Sequence, residues 1–199
     1  LPLPTDDPIE EGCGSCTACM TICPTNAIVA PYTVDARKCI SYLTIESDSD
    51  IPENLRPLMG NRIYGCDDCQ LICPWNRYAD ISQETDFHPR DVLHGQSLNT
   101  LFSWSEETFL ANTEGSPIRR IGFQKWQRNI AVALGNAAYN EESVRLLNAR
   151  YGAVSDMVDR HIEWALARQK EKHLAQDKDV ENRQQQRLIR AVEKGLPRD

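Results

Sequence analysis

Apolar residues recur at helical spacing through the second half of the chain. Residues 116–136 carry the longest stripe, which starts at a Ser-Pro pair and ends at a Gly-Asn pair. Shorter stripes of the same period cover residues 141–150, 156–170 and 184–193, and Ser155 is placed to cap the helix that starts at residue 156. This succession of short helices is typical of HEAT-like repeats. The apolar positions that define the helices are Ile118, Ile121, Trp126, Ile130, Ala133, Leu134, Val144, Leu147, Val158, Ile162, Ala165, Leu166, Leu188, Ile189 and Val192.

The first half of the chain predicts only short elements. Residues 17–23 favour a short helix, residues 27–34 a hairpin-like return, and a further helix should begin at Cys39. Residues 81–99 lack periodicity and predict an irregular connection. Ser105 is placed to cap one more short helix, which Gly115 ends. The pattern therefore predicts a loop-rich module, a connection and a helical part, in that order.

All eight cysteines belong to the loop-rich module. Cys13 to Pro24 reads C-x2-C-x2-C-x3-C-P, which is the ferredoxin spacing for ligands of cubane iron–sulfur clusters. Cys66 to Pro74 repeats this run without its first cysteine, whose position is occupied by Ile63. The remaining cysteine, Cys39, lies between the two runs.

The spacing also predicts which cysteines share a cluster. The first three thiolates of a run surround one cluster, and the fourth, before the proline, reaches a different one. The predicted ligands of the first cluster are Cys13, Cys16, Cys19 and Cys73. In the second cluster the solitary cysteine completes a set that is otherwise one ligand short, and the predicted ligands are Cys23, Cys39, Cys66 and Cys69. Each cluster thus receives four thiolates, and no cysteine is left over.

Two other uses of cysteine explain this pattern less well. A zinc ribbon could use the two C-x2-C pairs, but it would leave four cysteines and the two prolines without a role. Disulfides are disfavoured because cysteines three residues apart on one turn bridge poorly and because no signal peptide precedes them. The aromatic and basic residues after the second run, Trp75, Arg77 and Tyr78, are expected to pack beside a cluster rather than to catalyse.

Composition and charge narrow the class of protein. The 199 residues suffice for one large or two small domains, and no apolar run is long enough to span a membrane, so we expect a soluble protein. Its many thiols, with no signal peptide, indicate a reducing, cytoplasmic setting. The net charge of −7 is unevenly distributed, since residues 1–112 carry −11 and residues 113–199 carry +4. An acidic chain is not a typical nucleic-acid-binding protein, although its basic second half could contact phosphates locally.

Three segments resemble one enzyme family more closely than they resemble ferredoxins. They are CISYLTIE at residues 39–46, GCDDCQLICPWN at residues 65–76, and RNIAVALGN at residues 128–136. Together they resemble epoxyqueuosine reductase, a cobalamin-dependent iron–sulfur enzyme of tRNA modification, and the resemblance covers essentially the whole chain. It covers only the C-terminal part of the family, so we expect the domain that binds most of the cobalamin to lie outside this chain, and we assign no catalytic residue within it.

The resemblance implies a fold and a division into domains. It implies an α+β chain in which a bacterial two-[4Fe-4S] ferredoxin-like module precedes an all-α HEAT-like helical domain. The expected boundaries are residues 1–80 for the module, 81–115 for a connecting segment with short helices, and 116–199 for the helical domain. The family reduces epoxyqueuosine to queuosine at the tRNA wobble position, with electrons passing one at a time through the clusters to the corrin cobalt.

Residue roles follow from the same resemblance. Ser41, Asp67 and Asp68 would face the cobalamin, although acidic residues on a turn are also commonly just solvated. The helical domain would hold the anticodon stem-loop of a tRNA that carries epoxyqueuosine, and an external donor would supply electrons to a monomeric protein. The basic residues expected to contact tRNA phosphates are Arg119, Arg120, Lys125 and Arg128.

Two alternative functions remain open at this stage. The chain could be a two-cluster ferredoxin-type carrier that reduces another protein, or a helical module that binds RNA or protein and uses its clusters as structural supports. A bare ferredoxin would not need a helical tail of about 80 residues, which favours the reductase.

Overall fold

The computed structural model describes residues 5–6 and 12–175, and the predicted helix at residues 184–193 lies outside them. Within these ranges the chain is mostly helical. Two short strands, β1 (Ile28–Ala30) and β2 (Thr33–Val34), pair antiparallel with Ile28 opposite Val34. The α-helices are α1 (Ala18–Ile22), α2 (Ile40–Ile45), α3 (Asp68–Leu71), α4 (Leu98–Ser103), α5 (Glu106–Asn112), α6 (Gly122–Asn136), α7 (Glu141–Arg150) and α8 (Asp156–Leu174). Short 3-10 helices span Ala36–Lys38, Arg56–Met59, Pro74–Tyr78, Thr85–Phe87 and Pro117–Ile121.

Helix α6 is the centre of the helical part. Every residue from Trp126 to Gly135 is buried, as expected for a helix covered on all sides. Helix α8 packs along it so closely that a Cβ atom on Gly135 would lie 2.5 Å from the Trp164 ring. Only glycine fits there without displacing an aromatic side chain.

Aromatic side chains fill the space between α6 and the helices that precede it. The Trp126 ring stacks on Trp104 with centroids 5.6 Å apart and meets Phe109 at 5.5 Å. The indole N–H of Trp126 donates to the Leu101 carbonyl at 3.3 Å, so the buried ring leaves no unpaired donor.

Most predicted elements are present, with two differences. Helices α7 and α8 start where predicted, and Ser105 and Ser155 cap α5 and α8. The stripe at residues 116–136 is divided, because Gly122 has a φ of +72° and separates a 3-10 turn from α6. Helix α4 begins inside the segment predicted to be irregular, where the Ser97 hydroxyl accepts from the Thr100 amide.

A polar seam joins the helical part to the cysteine-rich part. We define it by Arg128, Asn129 and Asn136 of α6 and His161 of α8, which bond the backbone of residues 43–63. Asn129 donates to the carbonyls of Thr44 and Ile63, at 2.8 and 2.9 Å. The two parts are therefore fixed to each other by directional hydrogen bonds as well as by apolar contact.

None of the helices in the described part of the chain is long and apolar enough to cross a membrane.

Candidate iron–sulfur centre

The first cysteine run bends tightly before α1 begins. The Cys16 amide donates to the Cys13 carbonyl at 3.0 Å, and Gly14 between them has a φ of +53°, a conformation that glycine adopts without strain. The Tyr32 hydroxyl accepts from the Cys13 amide at 3.1 Å, which ties the run to the hairpin. Cys13 and Cys16 are exposed, and Cys19 is half-buried on α1.

Four cysteines from both runs line a single cavity of about 260 Å³. They are the predicted first set, namely Cys13, Cys16, Cys19 and Cys73. Among residues 5–6 and 12–175, no three His, Cys, Asp or Glu side chains are grouped closely enough to share one metal ion. The thiols instead surround a space, and this arrangement together with an all-thiolate donor set fits a [4Fe-4S] cluster.

The second set lies closer to the helical part. Cys23 follows α1 and accepts a hydrogen bond from the Ala27 amide at 3.2 Å. Burial alone would raise the pKa of the Cys23 thiol, but this amide and the Thr25 hydroxyl lower it overall. Cys39 is the residue immediately before α2, as predicted.

The pKa values of Cys66 and Cys69 reveal their surroundings. Burial raises the pKa of both thiols. Repulsion from Cys39 and Cys23 contributes to the raised pKa of Cys69, so both of these residues lie within electrostatic reach of the Cys69 sulfur. Cys66 packs against a buried apolar group that includes Val132 of α6.

Ile63 shows why the second run lacks its leading cysteine. Its side chain packs against the apolar core of the helical part, and its carbonyl accepts from Asn129 across the seam. The position is therefore used for contact with the helices, and Cys39 lies within electrostatic reach of one member of the set, Cys69.

The candidates for cobalamin contact differ in their availability. Asp67 is exposed at the residue before α3, and Ser41 is half-buried in α2. Asp68 forms an ion pair with Arg62, and both side chains are largely buried. Its carboxylate is therefore already neutralised, which makes it the least suited of the three.

The four candidates for phosphate contact do not form one basic face. Arg119 is exposed, while Arg120 pairs with Glu46 and the Lys125 ammonium bonds Asp48 and the Ile45 carbonyl. Arg128 is fully buried, and the prediction that it contacts tRNA is wrong. Its guanidinium donates to the carbonyls of the α2 region, which takes it out of reach of any phosphate.

Arg62 was not predicted from the sequence to lie beside the second cysteine set. Its guanidinium pairs with the Asp68 carboxylate, and its positive charge opposes the rise that burial causes in the pKa of the Cys66 thiol. A basic residue four positions before a cysteine run, with an acidic pair inside the run, was the available signal.

Known proteins share both the sequence and the fold of this chain. Residues 12–76 match the family model of a 4Fe-4S double cluster binding domain. The epoxyqueuosine reductase of Escherichia coli K12 is 63% identical over 199 residues, covering 100% of this chain and 52% of that protein. The Vibrio cholerae enzyme of the same name is 55% identical, with the same coverage. The chain corresponds to the C-terminal portion of epoxyqueuosine reductases.

Solved structures of epoxyqueuosine reductases agree with this assignment. The Bacillus subtilis epoxyqueuosine reductase superposes with a TM-score of 0.76 at 28% identity, covering 96% of this chain and 53% of that one. An epoxyqueuosine reductase crystallised with an epoxyqueuosine-modified tRNA-Tyr stem loop has the same TM-score and identity, with 96% and 52% coverage. The chain thus spans about half the length of the epoxyqueuosine reductases it matches.

Proposed function

We propose that this chain is the electron-transfer and tRNA-binding portion of an epoxyqueuosine reductase, which reduces epoxyqueuosine to queuosine at the wobble position of tRNA. The observation that carries the proposal is the cavity surrounded by the first set of four thiols, in a chain that matches the reductases along its whole length. A zinc ribbon would use the two C-x2-C pairs, whereas this cavity combines three thiols of the first run with Cys73 of the second.

The two clusters would be bound by the two cysteine sets defined above. When bound, they supply one-electron transfer at potentials set by hydrogen bonds and solvent around the sulfurs. The chain's own residues hold and polarise those sulfurs, as the Ala27 amide does at Cys23. We assign residues 1–80 to a ferredoxin-like domain, 81–115 to a connection, and 116–199 to a HEAT-like helical domain. The apolar core around α6 also includes Leu101, Phe102 and Phe109 of the assigned connection.

Contact with tRNA would fall on the exposed cations of the helical part. With Arg128 excluded, Arg119 is the best candidate because it is exposed, and Arg120 follows because an exposed pair with Glu46 is weak and can be exchanged for a phosphate. Lys125 is a lesser candidate because its ammonium is largely buried. The neighbour solved with a modified tRNA stem loop supports tRNA as the partner.

Further partners belong to the complete enzyme. We propose cobalamin as its cofactor, held mainly by residues beyond this chain, with Ser41 and Asp67 as candidate contacts. An external donor would supply the electrons to a monomeric, cytoplasmic protein.

Iron and sulfide analysis with EPR spectroscopy tests the cluster assignment. We expect two [4Fe-4S] clusters per chain, and Cys39→Ala should lose one of them while retaining the other. Ser15→Ala, a change at a non-ligand position in the first run, is the control and should keep both. A chain that binds one zinc ion, or a Cys39→Ala variant with both clusters intact, would refute the assignment.

An electrophoretic shift assay with an epoxyqueuosine tRNA stem loop tests the RNA face. Arg119→Gln and Arg120→Gln should each weaken binding several-fold and reduce its salt dependence by about one phosphate contact. Arg145→Gln, which removes an exposed arginine from α7, is the matched control. If Arg119→Gln and Arg120→Gln bind like the wild type, the RNA is bound elsewhere. If the wild type does not bind the stem loop, the alternative function, an electron carrier for another reductase, is favoured.

A further inference from the structure

One wall of the first cavity is built from residues that bind no metal. Trp75, Arg77 and Tyr78 follow Cys73 on the 3-10 helix Pro74–Tyr78, and all three line the same cavity as the four thiols of the first set. A cation thus adjoins the place where a cluster would sit.

Aromatic contacts hold this cation in position. The Arg77 guanidinium carbon lies 4.7 Å from the centroid of the Tyr78 ring, and the guanidinium also donates to the Tyr78 hydroxyl. The Tyr78 ring meets Trp75 with centroids 5.8 Å apart. The indole in turn covers Gly12, where an added Cβ would lie 3.3 Å from it.

Arg77 differs from the cation at the second set in its charged neighbours. Among the residues that the structure describes, the ion pairs do not include Arg77. At the second set the situation differs, since Arg62 beside Cys66 is paired with Asp68. Within the described part of the chain, the first cavity therefore has in its wall a cation that belongs to no ion pair, whereas the cation beside Cys66 is paired.

We propose that Arg77 is a tuning residue for the first cluster and raises its reduction potential. Reduction adds one electron to the cluster, so a fixed positive charge beside it stabilises the reduced form. Trp75, Arg77 and Tyr78 are all exposed, so solvent screens part of this charge and the expected shift in potential is modest. This inference rests on the proposed function, since it requires that the two cysteine sets bind clusters.

An EPR-monitored redox titration of the cluster-loaded protein tests the proposal. Arg77→Gln should shift the midpoint potential of one cluster to a more negative value and leave the other unchanged. Arg77→Lys keeps the charge and should stay near the wild-type value. Arg145→Gln removes an exposed arginine remote from the cysteines and should shift neither cluster.

Two further variants assign the shift to the first cluster and provide a test if Arg77→Gln loses its iron. In a Cys39→Ala background, where the first cluster remains, Arg77→Gln should still produce the shift. Tyr78→Phe removes the hydroxyl that holds Arg77 but retains the ring and the charge, and should shift the same cluster by less. If Arg77→Gln loses iron, the Tyr78→Phe variant decides the question.

The proposal is overturned if Arg77→Gln and Tyr78→Phe, with full iron and sulfide content, show no shift, or if both clusters shift equally. Iron analysis separates this outcome from failure of the proposed function. A wild-type chain without two clusters refutes both, whereas two clusters with unchanged potentials refute only the role of Arg77.

Discussion

The seam between the two parts of the chain depends on one buried arginine, and its removal should be costly. Arg128 uses all five of its N–H donors, three of them on the carbonyls of Leu43, Ser47 and Ser49 at 2.6, 2.9 and 2.7 Å. The other two bond the side-chain oxygen of Asn129. Burial lowers the pKa of Arg128 to about 10, which leaves it charged at neutral pH.

The expected cost of Arg128→Met follows from these contacts. Three charge-assisted hydrogen bonds at about 1.5 kcal/mol each would be lost, which would leave the buried Leu43 carbonyl and the part-buried carbonyls of Ser47 and Ser49 without this partner. Removing a desolvated charge gives back part of this free energy, so we expect a net loss of about 3 kcal/mol. For a chain of this length that corresponds to a fall of about 9 °C in Tm.

Thermal unfolding of the cluster-loaded protein, followed by circular dichroism at one scan rate, measures the difference. Arg119→Met is the matched control, because the same substitution at an exposed position should change stability by about 0.5 kcal/mol or less. Hydrogen exchange should rise at residues 43–49 in Arg128→Met alone. An Arg128→Met protein that melts like the wild type but binds tRNA less tightly would refute the burial argument and restore Arg128 to the RNA face.

Three further predictions concern the packing around α6 and α8. The buried His161 ring accepts from the Ile51 amide, and its pKa is lowered to about 4, mainly by burial. As the pH falls, the unfolded chain is protonated at His161 before the folded chain, so the free energy of unfolding should fall by up to about 3 kcal/mol between pH 6.5 and 4. Urea titrations from pH 7.5 to 5.5 should show that the free energy of unfolding depends less on pH in His161→Gln than in the wild type. Gly135→Ala should lower stability by about 2 kcal/mol in the same titration, because the added Cβ meets the Trp164 ring at 2.5 Å. Lys172→Met should cost about 1 kcal/mol, since its ammonium bonds the Gly135 and Ala137 carbonyls at the end of α6, whereas the exposed Lys170→Met should be neutral.

Local signals in the sequence predicted the helices well. Helix α7 has the predicted bounds, and Ser155 caps α8 because a serine hydroxyl can bond the backbone amide three residues on. Helix α4 was missed because only six residues separate Ser97 from its end, too few for a visible period.

Contacts between distant residues could not be predicted in this way. Arg128 looked like a surface cation because its partners lie about 80 residues earlier and are backbone carbonyls, which leave no trace in side-chain chemistry. The cysteines are different, since their spacing alone predicted that Cys73 joins the first run, and the shared cavity is consistent with that grouping. Their role as cluster ligands stays a prediction.

The seam gives the two cysteine sets unequal support from the helices. The second set lies next to the seam, with Cys66 against Val132 of α6 and Cys39 directly before α2, whose carbonyls bind Arg128. The first cavity is lined instead by residues 12–19 and 73–78. Electron transfer requires fixed distances, so loosening the seam should disturb the second cluster more than the first. Arg128→Met should therefore broaden or weaken the EPR signal of the cluster that Cys39→Ala removes, and an equal effect on both clusters would argue against this division of support.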